Sequence, residues 1–186
     1  AVAGTADKAI AYGKRAAAHA TDVLAFEDAA RLLGTALEVA DDAGVEVGVR
    51  ADLLLMIGSA HWRSGRTEQA RAAYRRVLAL VGDDDPDRVA RAALGIAGGH
   101  ERAVWVEMGS TNDDAVAALE HALALIPAGD SELRARLMAA LARDLHYAEG
   151  TAARRVELAG AGARAAELEQ ILSLRREFLH AVEIVV

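Results

Sequence analysis

The chain has 186 residues, 53% of them apolar but only 4% aromatic, with 45 alanines and two prolines. Alanine favours helix interiors and is poor in strands, and two prolines leave little to interrupt a helix, so the composition points to an all-α domain. Cysteine is absent, which excludes disulfides, Cys-zinc sites and thiol chemistry, and a net charge of −7 argues against a surface that holds nucleic acid directly.

In chain order, the apolar spacing predicts nine helices in antiparallel pairs. The hairpins fall at about 5–42, 46–82, 86–127 and 130–168, with a partial fifth at 170–186. Breaks are expected near 43–46, 82–86, 99–111, 127–130 and 149–151. In the first hairpin, Phe26-Glu27-Asp28-Ala29 opens a helix that carries Leu33, Ala36 and Leu37. The second is the clearest. Leu54, Ile57 and Gly58 share one face, Gly65 sits where a helix end favours a left-handed residue, and Thr67 starts the partner helix with Ala70, Tyr74, Val77 and Leu78. Gly82 to Pro86 is a stop followed by a helix start. In the third hairpin, Asn112 opens a helix with Leu119, Ala122 and Leu123, ended by Pro127. The fourth pairs Leu137, Leu141 and Leu145 with Val156, Leu158 and Ala165. Ala29, Ala70 and Ala115 hold the same place in successive units, 41 and 45 residues apart. Together these describe one domain of stacked hairpins over 1–186.

No uncharged apolar stretch is long enough to span a membrane, and the first residues lack a signal-peptide layout. Residue 1 is Ala, and the final segment from Ala181 reads as a helix cut short, so the chain is expected to be a fragment of a longer protein. A cytoplasmic location is expected.

Residues 51–82 resemble the tetratricopeptide repeat at Leu54, Ile57-Gly58, Ala70 and Tyr74, and depart from it at His61 and Val77. Residues 88–127 resemble it at Leu94-Gly95, Ala115, Ala122 and Pro127, with about eight extra residues between Gly95 and Ala115. The resemblance implies a right-handed superhelical solenoid. Three further stretches are similar to the helical repeat region of large actinobacterial ATP-binding regulators, the LuxR-type and related AAA or STAND ATPases. These stretches are Phe26 to Leu33, Ala92 to Gly99 and Asp130 to Leu137. That resemblance implies an ATPase module and often a DNA-binding module elsewhere in the parent protein, with the repeats as sensor or interaction arm.

The Gly-rich stretches at 95–99 and 160–162 lack the Lys of a phosphate loop and read as a helix end and as close helix packing. No two of the six histidines have the spacing of a helical metal site, and no serine has a nucleophile's setting. The acidic runs 41–42, 83–85 and 113–114 read as helix-end caps that suit the dipole. Basic pairs such as Arg154-Arg155 read as solvated helix faces. No catalytic residue, metal site or cofactor is expected in this segment.

Surface remains. In stacked hairpins the first helix of each pair lines a concave groove. The register places Asp52, Leu55, Ser59, Trp62 and Arg63 there, then Ile96 and His100, then Arg143, His146 and Tyr147, then Arg176 and His180. With seven aromatics in the chain, Trp62 and Tyr147 at groove positions suggest stacking on a peptide or an acidic ligand, with Arg63 and Arg143 supplying charge. The alternative is that both rings wedge adjacent hairpins together. Trp105, in the long insertion, is expected to plug an apolar gap. The expected function is therefore binding: a protein or peptide segment, or another domain of the parent, held by a regulatory arm. The alternative is a small-molecule inducer pocket near Trp62, His100 and Tyr147. An uncapped C-terminal end would support a homodimer.

Overall fold

The computed structural model describes residues 2–98, 112–129 and 131–163. These residues are helical with short connections, and no strand occurs among them. His100, the insertion with Trp105, Arg176, His180 and the partial fifth hairpin lie outside the described residues. The chain divides into two compact units, 1–104 and 105–186, and the expected hairpin 86–127 spans the division.

Unit 1 contains α1 (Val2–Asp22), α2 (Phe26–Asp42), α3 (Val47–Arg63), α4 (Thr67–Val81) and α5 (Pro86–Ile96). Each helix packs on the next, and α3 also meets α5, so the first helices of successive hairpins are stacked. The core explains the alanine content. Ala29, Ala40, Ala51, Ala70, Ala90, Ala92 and Ala93 are fully buried, where a larger side chain would hold the helices apart. Tyr74 fills the space that remains and is 1% exposed. A Cβ on Gly58 of α3 would lie 2.6 Å from the Tyr74 ring, and one on Gly95 of α5 would also strike it. The two glycines are notches that receive one ring.

Three turns share one geometry. The N–H three residues past the helix donates back to a carbonyl five residues earlier: Ala25 to Ala20 (2.8 Å), Val45 to Ala40 (2.9 Å) and Arg66 to His61 (2.9 Å). The residue inside each turn has positive φ. It is Gly44 (62°) and Gly65 (78°) in two of them but Leu24 (61°) in the first. Leu24 is 70% exposed and Val23 beside it 62% exposed, so the first turn carries both backbone strain and solvated apolar surface.

Asp85 caps α5 by accepting from the Arg88 backbone N–H at 3.1 Å, and Asn112 caps its helix by accepting from Ala115 N–H at 3.2 Å. The Asp41-Asp42 pair corrects the capping expectation. It lies at the C-terminal end of α2, where the helix dipole is negative and a carboxylate is disfavoured. Arg50 compensates Asp41 at 3.3 Å.

Unit 2 contains α6 (Asp113–Leu125), α7 (Glu132–Asp144), a 3-10 turn (Leu145–Tyr147) and α8 over 152–163. Ser131 caps α7, accepting from Arg134 N–H at 3.2 Å. The Arg134 side chain reaches back and donates to the carbonyls of Leu123 (3.2 Å) and Ile126 (3.3 Å), closing the C-terminal end of α6. Gly162 brings α8 close to α7: a Cβ there would lie 3.2 Å from the Ala135 carbonyl oxygen.

Candidate functional site

The first helices of the two N-terminal hairpins frame a cleft of about 280 Å³ in unit 1. Ala17, Ala18, Thr21 and Asp22 of α1 form one wall, and Met56, Ser59, Ala60 and Arg63 of α3 the other, over Leu33 of α2. The apolar floor and small walls leave room, while Thr21, Ser59, Asp22 and Arg63 supply polar groups. Arg63 is exposed, and its guanidinium lies 4.4 Å from the Phe26 ring centroid, a contact worth about 0.5–1 kcal/mol at such a site. Nearby, Arg66 pairs with Glu27 at 2.8 Å and ties the start of α4 to the first turn of α2. That pair is exposed and contributes about 1 kcal/mol or less.

Of the residues assigned to the groove from sequence, Ser59 and Arg63 meet in this cleft. The α1 wall lies outside the groove register read from the sequence, yet the sequence carries a signal for it. Ala17, Ala18 and Thr21 each precede Ser59, Ala60 and Arg63 by 42 residues, one repeat length. Asp52 is instead engaged with α5. Arg88 Nε and Nη2 donate to its two carboxylate oxygens at 2.9 and 3.1 Å, and Arg88 also pairs with Asp85. Two carboxylates around one guanidinium push the Arg88 pKa up. Asp85 is held below its ordinary 3.8, first by the backbone hydrogen bond from Arg88 and then by the Arg88 side chain. Leu55 is 8% exposed, packs in the core and does not line this cleft.

Trp62 is half-buried, and its ring lies against the end of α5: a Cβ on Gly98 would fall 2.8 Å from Trp62 Cη2. Next to it, burial and then the charge of Arg66 lower the His61 pKa from 6.5, and His61 Nδ1 is buried with no hydrogen-bond partner among the described residues.

In unit 2, Arg143 Nη2 donates to Asp144 at 3.0 Å, and Asp144 is 9% exposed, so this pair serves the interior of the unit. His146 Nδ1 lies 2.8 Å from Arg155 Nη1, on an exposed edge. Tyr147 belongs to the 3-10 turn. Among the described residues, no group of three or more His, Asp or Glu could hold a metal ion, and no helix is long and apolar enough to cross a membrane.

The family model for the tetratricopeptide repeat matches residues 25–87 and 55–103. No curated protein and no solved structure matches the chain. The matched span takes in α2 to α5, with the Tyr74 ring, its glycine notches and the α3 wall of the cleft. Repeats of this kind are typically non-catalytic and suggest a protein-interaction role. The match and the stacked hairpins together identify residues 25–103 as a tetratricopeptide-like helical repeat region.

Proposed function

We propose that the chain is the interaction arm of a multidomain, ATP-dependent transcriptional regulator, and that the α1/α3 cleft receives a partner segment or a segment of the parent protein. The observation that carries this reading is the cleft itself: an apolar floor with Arg63 at its rim against the Phe26 ring. A guanidinium beside apolar surface suits a segment that presents an acidic side chain next to an apolar one. At about 280 Å³ the cleft is smaller than pockets that enclose a drug-sized molecule, which hold roughly 300–1,000 Å³, and this favours an extended segment over an inducer at this place. The regulatory role rests on the resemblance of Phe26 to Leu33 and Ala92 to Gly99 to the repeat arms of LuxR-type ATPases.

Peptides selected from a display library on the immobilised chain are expected to carry acidic and apolar residues together. By calorimetry, Arg63→Glu should weaken their binding by about tenfold or more, equal to about 1.4 kcal/mol. Selected peptides that bind this variant as tightly as the wild type would place the partner surface elsewhere.

A further inference from the structure

Unit 2 contains a larger, open cleft, of about 710 Å³, between α6, α7 and α8, with Glu120, Ala124, Ala128, Gly129, Arg154 and Glu157 exposed along it. Its volume lies within the roughly 300–1,000 Å³ typical of small-molecule sites. Four small residues, Ala124, Ala128, Gly129 and Ala161, are part of its lining, with Ala161 half-buried and the other three exposed. Leu123, Met138, Leu141 and Leu158 supply apolar wall, and three of these are core residues: Met138 (7% exposed), Leu141 (0%) and Leu158 (4%).

Four charged residues line the same space: Glu120, Arg134, Arg154 and Glu157. Arg154 and Glu157 pair with one another at 3.2 Å and largely cancel. Glu120 is exposed, where water screens it. Arg134 is different. It is half-buried, and Nη1 is fixed by the carbonyls of Leu123 and Ile126. No carboxylate pairs with it among the described residues. Capping α6 occupies one corner of the guanidinium and leaves the Nε and Nη2 edge, which is the edge that meets a carboxylate with two parallel hydrogen bonds. The arginine is thus pre-positioned, and orienting it costs a ligand little.

From this we infer a small-molecule site in unit 2, formed by α6, α7 and α8, that takes an apolar monocarboxylate, with the hydrocarbon body against Leu123 and the exposed edges of Met138 and Leu158, and the carboxylate on Arg134. The site is separate from the α1/α3 cleft in every residue, so it does not depend on the protein-interaction reading.

Octanoate and 1-octanol titrated into the intact chain by calorimetry test it. Octanoate is expected to bind, with 1-octanol weaker by about tenfold. Arg134→Gln should remove that preference for the acid. Because this change also uncaps α6, a second variant is needed. Ala161→Trp fills the cleft with Arg134 in place, and is expected to abolish octanoate binding without lowering helicity or Tm. Arg63→Glu should leave octanoate binding unchanged. Four results would overturn the proposal: no heat from octanoate at millimolar concentration, equal binding of acid and alcohol, binding that survives Ala161→Trp, or binding lost in Arg63→Glu.

Discussion

The two units use small residues for opposite ends. In unit 1, Gly58 and Gly95 are small because Tyr74 occupies the space they vacate, and the ring is 1% exposed. In unit 2, Ala124, Ala128, Gly129 and Ala161 are small and line an open cleft of about 710 Å³. The same residue classes therefore mean tight closure in one place and an open cleft in the other. Composition does not separate the two cases; the facing residue does.

The comparison can be broken at its strongest point by Tyr74→Ala. Emptying both notches should cost about 3–5 kcal/mol in urea unfolding, whereas Met138→Ala, beside an open cleft, should cost about 2 kcal/mol, the low end for such truncations. Equal costs would mean that the interiors are alike. The reverse substitution sharpens the contrast. Gly95→Ala pushes a methyl into the Tyr74 ring and should cost about 1–3 kcal/mol, while Ala161→Leu has room and should leave Tm unchanged or raise it.

A smaller effect separates capping from packing. Asp85→Ala should cost about 1 kcal/mol through the lost cap. Since the folded Asp85 pKa lies below 3.8, its contribution is complete above that value and disappears as the pH falls through the lower folded value. Wild type and variant should then converge in thermal melts at low pH, and a gap that persists would assign the effect to packing. The smallest change is expected at the first turn. Leu24→Gly removes left-handed strain worth about 1–2 kcal/mol but adds unfolded-chain entropy of about 0.5–1 kcal/mol, so a net gain of under about 1 kcal/mol should appear in Tm. A loss would show that the exposed leucine has a contact within the fold.

Much of unit 1 was legible because its signals are local. Gly65 ends a helix, Asp85-Pro86 starts one, and Gly58 with Tyr74 marks a close pair; each acts within one hairpin. The candidate cleft is legible in the sequence only in part. Ser59 and Arg63 carry the side-chain chemistry expected of a rim, but their opposite wall lies one repeat away in α1, which precedes the residues that the repeat family matches. Asp52 reads as a free groove carboxylate until Arg88, 36 residues later, is placed beside it. Leu55 reads as groove surface by register, yet lies in the core. Arg134 gives no sequence signal as the cap of α6, because helix-end carbonyls are backbone acceptors that any side-chain donor within reach can satisfy.

Tyr74 also bears on how the array comes apart. Its ring belongs to α4 but sits in notches on α3 and α5. Hairpin repeats ordinarily couple through one interface at a time and fray from an end. Here α5 cannot detach without exposing a ring that α3 also holds, so amide hydrogens of α3, α4 and α5 should exchange through one shared opening, with a common protection factor across Leu53, Val77 and Leu94.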